Sequence, residues 1–140
     1  MPRHLQYKDI DSNVIINIMQ GMNAIENIDL ISQSQQSWWW LHLDTIPSGH
    51  IIIMSDTIDN NVIDFAANIC INGVSQKKQS KALWVKNNTK QFTIIMTRIS
   101  NLIYQDNDLE IGEVKFKSQS RKKIIKQNII YDPEIILNKT

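Results

Sequence analysis

Three consecutive tryptophans, Trp38, Trp39 and Trp40, lead into Leu41-His42-Leu43 and constrain the fold more than any other stretch. Aromatic content of this density favours a β-strand, and a strand sends alternate side chains to opposite faces. Trp38, Trp40 and His42 therefore share one face, while Trp39, Leu41 and Leu43 share the other. Large apolar groups on both faces require cover on both. The strand is expected inside a sheet, with a helix on one side and a loop or a second subunit on the other. The functional alternative is that one face stays open as a platform for stacking unpaired bases.

The flanking residues continue the pattern. Thr45-Ile46-Pro47-Ser48-Gly49 has the proline and glycine of a turn, and His50 to Met54 is the returning strand of a wide-looped hairpin. Upstream, Val14 to Ile18 is rich in β-branched residues and is ended by Gly21. Ala24, Ile25, Ile28 and Ile31 follow at helical spacing. From Asn60 to Asn72 the residues Ile63, Ala66, Ala67, Cys70 and Ile71 form one apolar stripe, with Asp59 placed to cap the helix and Gly73 to end it. Val74 to Lys81 is then expected as a polar loop. Further strands are expected at Phe92 to Thr97, Glu113 to Phe116 and Ile124 to Ile130. The predicted class is α+β: a mixed, mainly antiparallel sheet with one long central helix and one or two short helices. A single domain is expected over residues 1–130, with a C-terminal tail at 131–140.

Several function classes find no support. No run approaches the ~18 apolar residues of a membrane span. The opening Met1-Pro2-Arg3-His4-Leu5 lacks the apolar core of a secretory signal, and the lone Cys70 cannot form an internal disulfide. An intracellular, cytoplasmic setting is expected. There is no phosphate-binding glycine loop, nucleophile elbow, metalloprotease helix or paired CxxC. His42 and His50 flank the turn symmetrically, yet two imidazoles without cysteine or clustered acids fall short of a zinc site. Catalytic residues, metal and cofactor are therefore all expected to be absent, and the chain is expected not to be an enzyme. The histidines are candidates for fixing the turn or for touching a phosphate or base.

Formal net charge is only +1, so any polyanion surface must be local. Basic residues fall in two runs, Lys77-Lys78, Lys81, Lys86 and Lys90, then Lys115, Lys117, Arg121, Lys122, Lys123 and Lys126. Acidic residues concentrate at Asp56 to Asp64 and Asp106 to Glu113, which predicts a polarised molecule. Lys115, Lys117 and Arg121 to Lys123 form a candidate phosphate-contacting strip.

Four segments together resemble the NFACT-R family of RNA-binding domains, and the chain's length is similar to its small stand-alone members. Gly21-Met22-Asn23 with Asn27 resembles the family's opening Gly-x-Asn and second Asn, although Met22 stands where a basic residue is common. Trp40-Leu41-His42 followed by Pro47-Ser48-Gly49-His50 resembles its Trp-x-His and Pro-Gly-Ser-His, with the Ser and Gly exchanged. Ala66-Ala67 running to Ser75 resembles its central helix, and Thr97, Leu102 and Gly112-Glu113-Val114 its later strands. The resemblance implies a non-catalytic module binding RNA, such as tRNA or rRNA, or else DNA. It also implies a link to translation or ribosome-associated quality control, and a ribosomal or protein partner. On this basis Asn23, Asn27, His42, His50 and Arg98 join Lys115, Lys117, Arg121, Lys122 and Lys123 as nucleic-acid-binding candidates. A protein-interaction or structural module on the same fold is the alternative.

Overall fold

The structure, a computed structural model, describes residues 2–9, 12–44, 49–78, 92–119 and 122–126, with backbone alone at 72–78 and 122–126. Its strands are β1 (Arg3–Lys8), β2 (Ile15–Gln20), β3 (Trp39–Leu43), β4 (Ile51–Ile53), β5 (Phe92–Arg98), β6 (Leu102–Ile103), β7 (Lys115–Phe116) and β8 (Lys122–Lys126). Its helices among the described residues are α1 (Ala24–Gln33) and α2 (Asn60–Lys78), with a 3₁₀ turn at Ile99–Asn101. Six strands pair in the order β1-β2-β4-β3-β5-β8, every neighbour antiparallel, and β6-β7 form a small separate ribbon. The fold is α+β, as the sequence predicts.

The tryptophan strand lies inside the sheet, between β4 and β5, and both faces are covered. On one face Leu41 and Leu43 join Leu5, Ile18, Ile51, Ile53, Ile94 and Met96 beneath Ala66, Ala67 and Cys70 of α2. On the other face Trp40, Ile52 and Ile95 pack with Leu30 and Ile31 of α1 and with Ile99 and Leu102. Trp40 is 2% exposed, so the indole is core and not an open platform. Burying a side chain of that size removes on the order of 200 Å² from water, about 5 kcal/mol at ~25 cal/mol per Å². That is the largest single contribution available to this face, and it sets which way the strand faces.

Local signals explain the helix starts. Asp59 caps α2, its Oδ1 accepting from the Val62 amide at 3.0 Å. The expected stop at Gly73 does not occur, and the helix backbone continues to Lys78, through most of the expected Val74–Lys81 loop. Glycine enters the helical region as readily as the left-handed one, so a lone glycine permits an end without forcing it. In α1 the buried residues are Asn27, Leu30 and Ile31, while Ile25, expected on the apolar stripe, is 65% exposed. The alternation at the N-terminus forms β1, an element not expected from the sequence, by pairing Leu5 with Ile18 and Tyr7 with Ile16 of β2. The last strand among the described residues is Lys122–Lys126, which starts two residues before the expected Ile124; the rest of that expected strand, 127–130, and the expected tail at 131–140 lie outside the described residues. No helix among the described residues is long and apolar enough to cross a membrane.

Candidate functional site

Some of the residues that carry the resemblance, Gly21, Asn27, Trp40, His42, His50 and Gly112, converge on the α1 face of the sheet, whereas Ala66 and Ala67 pack on the other face. The β3-β4 register pairs Leu41 with Ile51, and one step further it sets His42 opposite His50. Their ring centroids are 5.1 Å apart with the planes nearly perpendicular. His42 lies parallel to Trp40 at 5.7 Å, and His50 meets Trp40 edge-on at 5.3 Å. Phe116 of β7 closes the cluster, its ring 5.8 Å from Trp40. The hairpin and the mutual approach of the two histidines agree with the sequence; of its turn, only Gly49 lies within the described residues.

The Gly-x-Asn element supports this cluster from behind. Asn23 caps α1, its Oδ1 accepting from the Glu26 amide at 2.9 Å, and Glu26 in turn accepts from the Met22 amide at 2.9 Å. This is a reciprocal capping arrangement. Asn27, 7% exposed, accepts the His50 backbone N–H on its Oδ1 at 3.1 Å, which fixes the start of β4 to α1. A Cβ on Gly21 would fall 1.9 Å from that same Oδ1, so only glycine leaves the amide room. Asn23 and Asn27 thus position the site and do not line it.

The segment before β7 forms the opposite wall. Gly112 has φ +93°, and a Cβ there would lie 2.8 Å from the Cβ of Ala24, so this loop seats directly on the start of α1. His50 hydrogen-bonds to the Gly112 backbone carbonyl. Burial, then the neighbouring His42, push the His50 pKa down to about 3, and the bond to Gly112 opposes them only in part. A histidine so placed is neutral at physiological pH, and with one nitrogen donating to a carbonyl its tautomer is fixed. Between the sheet and this wall lies a groove of about 400 Å³ lined by Trp40, His42, Asp44, His50, Val114 and Phe116 among others. Phe116 alternates with Lys115 and Lys117 and Trp40 shares the parity of His42, so both were within reach of sequence parity; Gly112 was not.

The basic candidates are dispersed. Arg98 lies across the sheet from the histidines, stacked on Trp39 at 3.8 Å and donating to the carbonyls of Ser37 and Asp56. Trp39 packs on the α2 face, so Arg98 is a clasp there. Lys115 and Lys117 are exposed on and just beyond β7, outside the main sheet. Lys115 Nζ approaches Asp106 at 3.7 Å, so the acidic stretch meets the basic one and the expected charge separation fails at that point. The pair is solvent-exposed and contributes little to stability. In β8, Lys123 pairs with Ile95, which pairs with His42, so one row of the sheet carries His50, His42, Ile95 and Lys123. Two strand spacings, across β5, separate Lys123 from His42, about 10 Å at ordinary spacing. Lys122 pairs with Met96 in the next row, and Arg121 lies outside the described residues. Cys70 is fully buried against the sheet. Among the described residues no group of three or more His, Cys, Asp or Glu side chains is arranged to hold a metal ion.

No protein-family model matches the chain. No curated protein matches it either. Among solved structures, the C-terminal part of the fibronectin/fibrinogen-binding protein from Streptococcus suis is similar, with a TM-score of 0.68 at 18% identity. That likeness covers 99% of this chain and 48% of the other, so the chain spans about half the length of that structure. At this identity the similarity establishes a shared fold alone.

Proposed function

We propose that this chain is a non-catalytic nucleic-acid-binding module with a preference for single-stranded RNA, used in translation or ribosome-associated quality control inside the cell. The observation that carries the reading is the convergence at the groove. Gly21, Asn27, Trp40, His42, His50 and Gly112, drawn from separate segments that resemble NFACT-R domains, meet there through rings and hydrogen bonds. Unpaired RNA is recognised by aromatic and imidazole surfaces beside cationic positions that hold phosphate, and Lys123 stands in the row of His42. Asn23 and Asn27 act as supports, and Arg98 is assigned to the clasp on Trp39. Lys117, Arg121, Lys122 and Lys123 are the phosphate contacts, with Lys115 tempered by Asp106.

The test is a fluorescence-anisotropy titration of labelled single-stranded RNA against salt. Each phosphate contact on a single strand contributes about −0.7 to the log–log slope. Replacing Arg121, Lys122 and Lys123 by Ser is expected to flatten the slope with little loss of stability, and an unchanged slope would move the phosphate site to the Lys77–Lys90 run.

A second reading, a protein-interaction module, has its own observation. Ile111 is 75% exposed and Ile25 65%, and both border a depression of about 430 Å³ with Tyr104 and Leu109. The similar structure belongs to a protein named for binding fibronectin and fibrinogen. Undiminished RNA binding by an Ile25→Ser/Ile111→Ser variant would separate that patch from the groove.

A further inference from the structure

Two buried polar atoms at the groove are unaccounted for by the fold. Trp40 and His50, 2% and 3% exposed, both line the groove, and among the described residues neither Trp40 Nε1 nor His50 Nδ1 has a hydrogen-bond partner. Buried polar atoms are nearly always paired, and leaving one unmade is costly. Their chemistry is complementary. An indole Nε1 can only donate. The bond from the His50 ring to the Gly112 carbonyl occupies the other ring nitrogen, so Nδ1 of the neutral ring is left as an acceptor. A donor and an acceptor without partners thus sit on two adjacent rings, 5.3 Å apart, that both line one groove.

The rest of the lining says what kind of group fits. Ile95, Val114 and Phe116 make its apolar walls, and His42 lies parallel to Trp40. Among the described side chains its charged residues are Asp44 and Glu113, and no lysine or arginine lines it. Those two carboxylates disfavour phosphate in the groove itself. Glu113 is exposed and one carboxylate oxygen accepts from the Glu110 amide at 2.7 Å, which leaves the carboxylate further acceptor sites. Carboxylates accept from exocyclic amino groups such as cytosine N4, where uracil presents a carbonyl oxygen instead.

We infer that the groove receives one unstacked, amino-bearing base of the bound RNA, with uracil disfavoured, while the phosphates run outside it toward β8. The inference rests on the RNA-binding reading above and adds a base preference to it. A flat, mixed donor–acceptor edge offers partners to Trp40 and His50 together, and the partly exposed rings of His42 and Phe116 supply stacking.

The experiment compares fluorescein-labelled oligocytidylate, oligouridylate and an abasic ribose-phosphate oligomer of equal length, at low salt, with the whole chain. Phosphate contacts are the same for all three, so differences report the groove. Oligocytidylate is expected to bind about tenfold tighter than either of the others, within the range of a single base–aromatic stack. Glu113→Gln with Asp44→Asn is expected to close the gap between cytidylate and uridylate, and Glu113, being exposed, leaves the fold intact. Equal affinity for all three oligomers overturns the base site and leaves RNA binding through phosphates standing. A carboxylate variant that keeps the full preference also overturns it. Failure of every oligomer to bind removes the RNA reading and this inference with it.

Discussion

Replacing Asn27 by Ala tests how α1 holds the hairpin. The Asn27 Oδ1 accepts the His50 backbone N–H at 3.1 Å, and both residues are buried. Truncation leaves that amide without its acceptor, at a cost of about 1–3 kcal/mol. For a chain of this size 2 kcal/mol corresponds to roughly a 1 M fall in urea midpoint. Gly21→Ala attacks the same contact from the other side, because its Cβ would fall 1.9 Å from Asn27 Oδ1 and 2.9 Å from Cγ. Alone it is expected to cost about 1–3 kcal/mol through overpacking. In the Asn27→Ala background both of those atoms are gone, and the nearest remaining one is the Asn27 Cα at 3.1 Å. The double variant is therefore expected to be more stable than the sum of the singles by about 1 kcal/mol or more. Urea unfolding with an unchanged slope is the assay. Strict additivity, or an Asn27→Ala variant within 0.5 kcal/mol of the parent, would refute the proposed contact.

The pH dependence follows from His50. Its folded pKa, about 3, lies below the ordinary 6.5, so its contribution is complete above pH 6.5 and is lost as pH falls from there toward 3. Stability should fall by up to about 1.4 kcal/mol per pH unit in that window from this group, and His50→Gln should remove that component of the slope. Gly112→Ala should destabilise by about 1–3 kcal/mol, since it strains a positive φ and crowds Ala24, and thermal melting should show the loss. Cys70 should resist thiol reagents in the native protein and react fully in denaturant, whereas rapid native labelling would show an open α2 face.

Side-chain parity in a strand is strict, which is why Trp38-Trp39-Trp40 alone placed Trp40 and His42 together and required cover on both faces. The opposition of His42 and His50 followed from a symmetric turn, and the Asp59 cap from local chemistry. What escaped depends on partners distant in the chain. β1 carries polar residues around Leu5 and Tyr7, including Gln6 between them, and exists because β2 pairs with it. The bond from Asn27 to His50 spans 23 residues and turns an apparent surface Asn into a buried support. Arg98 could be placed near the end of a strand, but its stacking on Trp39 needs the β3-β5 register. The contact between Lys115 and Asp106 likewise arises only when the residues around β6 and β7 come together. The α2 extension past Gly73 reflects a residue whose permissiveness gives no signal either way.

Entry of RNA into the groove beside Trp40, as proposed, is read directly from the indole N–H signals. Four tryptophans give four resolvable indole resonances in a heteronuclear NMR spectrum, assignable by Trp→Phe substitution. Titration with single-stranded oligocytidylate at low salt is expected to shift the Trp40 indole strongly, because its N–H gains an acceptor, while Trp39, stacked against Arg98 on the opposite face, stays nearly still. A Trp40 signal that does not move at saturating RNA would place the RNA outside the groove.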